Sequence, residues 1–296
     1  MSALGWIGVG NMGGPMAARL CRSGYDMLVC GSGKRDLSSY AAETGARLAT
    51  SPREIAQKTD VFFTMIPNGE ILLDIISQIE DLDLTGKVLV DMSTIDPESS
   101  AAAAARIEVA RGQFLRAPVT GSTHFAAEGT LGIMVSGARE AYEQCLPYLR
   151  ILGSRQTYLG EGEKSREIKI LINLLLAQEL QALSETLVIG GKLELPWETM
   201  LDLIVDSAAA APIFRYKADT LKDRDFTPTS SGYNMHKDMK MAMALAARTG
   251  AKVPAAEVTM QRYDKLMELG MARKDNTAIL LVNEWYNSDD PDAVTV

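Results

Sequence analysis

The chain has 296 residues, 47% hydrophobic and 23% charged, a globular composition long enough for two domains with sizeable cores. Its net charge of −8 argues against nucleic acid as a main partner and confines any bound anion to local sites. Cys21, Cys30 and Cys145 lie far apart without CxxC spacing and only two histidines occur, which points to a reducing, cytoplasmic setting and away from disulfides or a metal site.

Residues 3–9 (ALGWIGV) form the short apolar run of a buried parallel strand, with no basic leader before it. Gly8-Val9-Gly10-Asn11-Met12-Gly13 follows at once, and Pro15 to Leu20 opens a helix ending at Gly24. In this frame of strand, tight turn and helix start, GxGxxG reads as a dinucleotide-binding turn. Gly8 permits the turn, Gly10 admits a pyrophosphate to the backbone, Gly13 allows close packing, and the helix dipole attracts the phosphates. A second strand, Asp26–Cys30, ends at Gly31, Ser32, Gly33, Lys34 and Arg35. An acid binding a ribose diol is usual there. Its absence, with Ser32, Lys34 and Arg35 at hand, suits a 2′-phosphate and hence NADP, with NAD the alternative; the two cations equally suit a solvated loop.

Ser51-Pro52-Arg53-Glu54 is a capping-box helix start. Asp60–Ile66 and Lys87–Met92 read as strands, Ala101–Arg111 as a helix, and Gln113–Val119 as a further strand. Gly129–Gly137 and Ser154–Leu159 read as strands flanking a helix over Ala138–Leu152. This alternation predicts an α/β Rossmann-type doubly wound parallel sheet. Ligands belong at the carboxyl ends of its strands, where Asn11, Met65, Ile66, Pro67, Asn68, Ser93 and Thr94 fall.

Residues 163–189 contain neither proline nor glycine and favour helix throughout, a span of roughly 40 Å. Glu179 and Glu185 rule out a membrane span, so a helix this apolar belongs at the junction of two domains, packed on several sides. Lys169 and Asn173 are four apart and share one face of it. A lysine there either snorkels to solvent or is paired or used, because burial of its charge alone is costly. Lys164 and Arg166, near the same helix start, are the natural control cations. Beyond Gly191, Pro196–Val205, Met235–Arg248, Pro254–Leu269 and Asp275–Tyr286 read as helices, and Asn287–Val296 as a loose polar tail. The division expected is a dinucleotide-binding domain over 1–162, an interdomain helix over 163–192 and an all-α C-terminal domain over 193–296.

The segments Gly5 to Gly13, Asp91-Met92-Ser93-Thr94, Ala117-Pro118-Val119-Thr120-Gly121 with Gly129-Thr130-Leu131, Lys169 to Asn173 with Glu185, and His236-Lys237-Asp238 together resemble the β-hydroxyacid dehydrogenase family, which includes 3-hydroxyisobutyrate dehydrogenase and tartronate semialdehyde reductase. The match runs in order over essentially the whole chain. The resemblance implies a Rossmann domain, a long interdomain helix and a helical C-terminal domain. It implies that Lys169 donates or accepts the proton and that Asn173 orients substrate. By the same resemblance Thr120, Gly121 and Ser122 hold the substrate carboxylate, and Thr94 and Lys237 lie beside the nicotinamide end of the cofactor. Glu185 would be a structural partner inside the helix layer. The chain differs from the family pattern at Glu163 and Ser165, where glycines are usual, at Ile172, which replaces an asparagine, at Arg116, which replaces an aspartate, and at Ser230 and Asn234, which replace apolar residues. Arg116 either enlarges an anion site together with His124 or pairs with a surface carboxylate.

The chemistry is consistent on its own terms. A nicotinamide carries hydride, and the protein must supply orientation and a proton. Lys169 as ammonium protonates a carbonyl oxygen in reduction; as amine it takes the hydroxyl proton in oxidation. The reading is an NAD(P)-dependent enzyme, cytoplasmic and a homodimer or homotetramer, acting on a small carboxylate-bearing substrate, with neither membrane nor nucleic acid as partner. An imine reductase of the same architecture and a non-catalytic dinucleotide-binding scaffold are the alternatives.

Overall fold

The apolar runs read as strands become the central members of a six-stranded parallel sheet in the computed structural model, which describes residues 3–33 and 36–288. Its strands β1 (Leu4–Ile7), β2 (Met27–Cys30), β3 (Arg47–Leu48), β4 (Val61–Thr64), β5 (Val88–Asp91) and β6 (Gln113–Arg116) stand in the order β3-β2-β1-β4-β5-β6. Every pairing is parallel. Helices α1 (Gly13–Arg22), α2 (Ser38–Thr44), α3 (Pro52–Lys58), α4 (Gly69–Ser77) and α5 (Pro97–Val109) join them. Side chains alternate along each strand, so a sheet covered on both faces needs unbroken apolar runs. Val61 and Phe63 accordingly pack with Trp6, Met16 and Leu20, while Phe62 packs with Ile55, Leu72 and Ile76 on the other side.

The single strand expected over 113–119 breaks at Ala117-Pro118. Ala117 N–H donates to the Asp91 carbonyl (2.7 Å) and closes the parallel ladder, whereas Pro118 has no N–H to continue it. The Pro118 carbonyl instead accepts from Met134 N–H (3.1 Å) and starts a second sheet. That sheet holds β7 (Val119–Thr120), β8 (Leu131–Val135) and β9 (Gly153–Tyr158), with β7 antiparallel and β9 parallel to β8. The intervening helices are α6 (Thr123–Glu128) and α7 (Arg139–Leu152).

The uninterrupted helix α8 (Lys164–Lys192) crosses the boundary between two compact units, Met1–Lys169 and Ile170–Val296. Ala177, Leu180, Leu183 and Leu187 bury one stripe of it in the core of the second unit. Leu171 and Leu175, on the same helix, are 52% and 58% exposed.

The second unit continues with α9 (Trp197–Asp206), α10 (Pro212–Lys222), α11 (Gly232–Thr249), α12 (Pro254–Glu268), a 3₁₀ turn at Asn276–Ala278, and α13 (Ile279–Tyr286). Helix α10 escapes the sequence pattern because a charged residue interrupts its apolar stripe: Phe214, Lys217 and Leu221 are its buried residues. Lys217 is tolerated there because Asp275 receives its ammonium at 2.7 and 2.8 Å. Asp275 also caps the 3₁₀ turn by accepting from Thr277 N–H (3.1 Å), so the helix expected to begin at Asp275 begins after that turn. The polar tail lies outside the described residues from 289 onward. Among the described residues no helix is long and apolar enough to cross a membrane.

Candidate active site

Three glycines shape the turn between β1 and α1, each for a different reason. Gly8 has φ +99°, and a Cβ there would lie 2.2 Å from the Met65 carbonyl oxygen. A Cβ on Gly13 would lie 2.0 Å from the Gly8 carbonyl oxygen and 2.9 Å from Trp6 Nε1. At Gly10 it would meet nothing within 4 Å among the described residues. Gly8 and Gly13 therefore answer to the fold, whereas Gly10 keeps the backbone open to an outside group. Helix α1 has no side-chain cap at Met12 and no acidic residue in its first turn. Its leading N–H groups and dipole thus suit a pyrophosphate. Val9 is buried, Asn11 exposed and Met12 half-buried at this turn. After β2, Ser32 is exposed, while Lys34 and Arg35 lie outside the described residues.

The ends of β4 and β5 carry Met65, Ile66, Pro67, Ser93 and Thr94. Asn68 caps α4, its side-chain carbonyl accepting from Ile71 N–H (3.0 Å). Ser93 is buried; its hydroxyl donates to Asp91 Oδ1 (2.6 Å) and accepts from Ile66 N–H (2.9 Å). Thr64 Oγ1 donates to the same carboxylate oxygen (2.5 Å). The counter-charge comes from Arg166, whose Nη2 pairs with Asp91 Oδ2 and whose Nη1 donates to the Ser93 carbonyl (2.5 Å). Arg166, one of the two cations near the helix start offered as controls, is 1% exposed and so does not serve as one. Removing one member of such a buried pair costs about 3–5 kcal/mol.

In the carboxylate segment, Thr120 and Gly121 are exposed, and Gly121 has φ +126°. Ser122 occupies the N-cap of α6 without making a capping bond. Its Oγ is buried and finds no hydrogen-bond partner among the described residues. Arg116 pairs with a carboxylate: Nε and Nη2 reach Glu163 Oε1 at 2.7 and 2.5 Å. The pair is 10% and 14% exposed, so the carboxylate that takes Arg116 is largely buried and not the surface one expected. Ser165 Oγ donates to the Arg116 carbonyl (3.2 Å) and touches Ser136 Oγ (2.8 Å). Arg116, Glu163 and Ser165, three of the differences from the family pattern, thus form one cluster. His124 faces Glu128 across one turn of α6 (3.2 Å), on the surface.

In the second unit, Asn173 is 7% exposed and its Nδ2 donates to Asp238 Oδ2 (2.5 Å). Lys237 Nζ lies 2.9 Å from Asp238 Oδ1. Asp238 thereby ties Asn173 on α8 to Lys237 on α11, a role missed in the sequence although it stands beside Lys237. Lys169, half-buried, precedes Asn173 by one helical turn. Glu185 is exposed rather than inside the helix layer and accepts from Gln181 Nε2 (2.9 Å). A cavity of about 470 Å³ lined by Arg224, Phe226, Thr227, Arg273 and Lys274 holds none of these residues.

A family model described as the NAD binding domain of 6-phosphogluconate dehydrogenase matches residues 3–160. A second, described as the NAD-binding domain of NADP-dependent 3-hydroxyisobutyrate dehydrogenase, matches residues 163–282. The chain is 32% identical over 284 residues to the uncharacterized oxidoreductase YfjR of Bacillus subtilis (strain 168), covering 93% of this chain and 97% of that one. It is 28% identical to glyoxylate/succinic semialdehyde reductase 1 of Arabidopsis thaliana, covering 94% and 96%. The 3-hydroxyisobutyrate dehydrogenase of Mycobacterium tuberculosis, solved with L-serine, superposes with a TM-score of 0.84 at 26% identity, covering 95% and 98%.

Proposed function

The chain belongs to the β-hydroxyacid dehydrogenase family and is an NAD(P)-dependent oxidoreductase acting on CH–OH, and from this we propose that it interconverts a small 3-hydroxy acid and its semialdehyde or keto acid with Lys169 as proton donor and acceptor. The observation that carries the reading is the pairing on α8: Asn173, its amide held at 2.5 Å by the buried Asp238, follows Lys169 by one turn.

The residues present fit a nicotinamide dinucleotide, since the open backbone at Gly10 and the uncapped start of α1 suit its pyrophosphate. When bound, it supplies the hydride chemistry. Lys169 Nζ then gives a proton to the substrate carbonyl oxygen in reduction and takes the hydroxyl proton in oxidation. Asn173, its amide nitrogen held on Asp238 Oδ2, is assigned to orient the reacting oxygen. Thr94 and Lys237 are assigned to the nicotinamide end of the cofactor. Thr120, Gly121 and Ser122 anchor the substrate carboxylate, an assignment supported by the buried, unpartnered hydroxyl of Ser122. The named reductase from Arabidopsis acts on glyoxylate and succinic semialdehyde, both small carboxylates, which supports the same substrate class here. NADP is the proposed cofactor because Gly31 stands where a carboxylate would repel a 2′-phosphate, with Ser32, Lys34 and Arg35 following. The cytoplasm and a homodimer or homotetramer complete the proposal; the exposed Leu171 and Leu175 support self-association. The working division keeps 1–162, 163–192 and 193–296.

The test is Lys169→Ala, with Lys164→Ala as the control because Arg166 is buried. Loss of a general acid–base costs about 10² to 10⁴ in rate. Turnover on a panel of hydroxy acids and semialdehydes should collapse while cofactor affinity holds. A variant keeping more than half of kcat would sink the assignment, and turnover of cyclic imines alone would favour the imine reductase.

A further inference from the structure

We infer that Arg166 is a positioning residue for the reaction: it seats the helical turn carrying Lys169 against the strand ends that carry the candidate cofactor residues. The inference rests on the proposed role of Lys169. Arg166 uses three donors on three segments, Nη2 to Asp91 Oδ2 at the end of β5, Nη1 to the Ser93 carbonyl (2.5 Å), and Nε to Ser100 Oγ on α5 (3.2 Å). Asp91 is buried and its other oxygen accepts from Thr64 Oγ1 and Ser93 Oγ. Ser93 Oγ in turn accepts from Ile66 N–H (2.9 Å), so the guanidinium is linked to the ends of both β4 and β5. A planar fork with three occupied donors constrains rotation and translation of the helix together, which an apolar contact would not.

Lys169 lies three residues further on, roughly 4.5 Å along the axis and about 60° around it. A shift of the Arg166 turn is therefore carried to Lys169 almost undiminished. Ser165 reinforces the seat from the neighbouring face, through its contacts with Ser136 Oγ and the Arg116 carbonyl. Replacing a buried ion pair by apolar groups of similar volume is often neutral for stability, so such a pair is retained for geometry as readily as for stability. At this place in the fold, the geometry at stake is that of the proton donor.

The experiment compares Arg166→Lys, Arg166→Met and the double variant Asp91→Asn/Arg166→Met with wild type and with Lys169→Ala. The double variant removes both charges and keeps an acceptor for Thr64 and Ser93, so it guards against simple failure to fold. For the double variant we expect a melting temperature near wild type and a cofactor Kd within about threefold. We expect kcat to fall about tenfold to a hundredfold, as for a reacting group displaced by an ångström. The solvent deuterium isotope effect on kcat should rise, because proton transfer becomes slower than the other steps. Arg166→Lys, which keeps the charge but loses the fork, should show the same rise with a smaller fall in kcat. Wild-type kcat and isotope effect in the folded double variant would overturn the inference, as would loss of folding in all three variants, which would mark Arg166 as structural alone. If Lys169→Ala retains turnover, the proposed function fails instead; if it is inactive while the Arg166 variants behave as wild type, only the positioning role fails.

Discussion

Gly10→Ala should separate cofactor binding from folding in a way its two neighbours in the motif cannot. A Cβ at Gly10 meets no described atom within 4 Å, whereas at Gly8 and Gly13 it would lie 2.2 and 2.0 Å from backbone oxygens. Backbone cannot swing aside as a side-chain end can, so Gly8→Ala and Gly13→Ala must open the junction of β1, β4 and α1 and should cost about 1–3 kcal/mol or more. Gly10 lies outside the positive-φ region, and alanine there restricts the unfolded chain, which stabilises by about 0.4–1 kcal/mol. Without cofactor, Gly10→Ala should therefore melt at or slightly above the wild-type temperature, by up to about 4 °C. Its methyl would nevertheless stand at the backbone proposed to receive the pyrophosphate, so cofactor affinity should fall at least tenfold, equivalent to about 1.4 kcal/mol. Differential scanning fluorimetry without ligand and a fluorescence titration with reduced cofactor measure the two quantities on one preparation. The reasoning is refuted if Gly10→Ala loses stability as Gly13→Ala does, or if it binds cofactor as tightly as wild type.

Gly31→Asp should reverse an NADP preference, read as kcat/KM for both cofactors; a Cβ there would lie 3.0 Å from the movable Leu37 Cδ1, and equal use of NAD by wild type would end the proposal. Arg116→Met should lower the melting temperature, because it leaves Glu163 buried and unpaired at a cost of about 3–5 kcal/mol. Arg116→Met/Glu163→Leu should recover most of that loss with substrate KM within about threefold of wild type, and a tenfold rise in KM would show that Arg116 reaches the substrate. Burial pushes the Asp275 carboxyl up, but the Lys217 charge and hydrogen bonds from Lys217 and Thr277 outweigh it and hold the group below its ordinary range. Since the folded value lies below the unfolded one of about 3.9, this stabilisation is complete above the unfolded value and lost as pH falls through the folded one. Urea titrations of wild type and Asp275→Asn should show a stability gap that is wide at pH 7 and narrows below about pH 4; a constant gap would contradict the sign.

The parts of this protein legible in its sequence are those set by neighbours along the chain. Strand, glycine turn and helix start follow one another within residues 3–22, and two-face burial makes each central strand a continuous apolar run. Helix α8 announced itself by composition, and the Lys169–Asn173 spacing by the helical period. Helix α10 stayed hidden because Lys217 occupies its apolar stripe, and the partner that permits this, Asp275, lies 58 residues away. The burial of Arg166 beside Asp91 spans 75 residues, the Asn173–Asp238 contact 65, and the Arg116–Glu163 pair 47. No period or cap predicts such contacts. A charged side chain reads as solvent-facing until folding supplies its counter-charge, because burial is costly for the lone ion and tolerable only for the assembled pair. Tertiary structure therefore decided which cations are surface and which are internal, and with them how the turn carrying Lys169 is held.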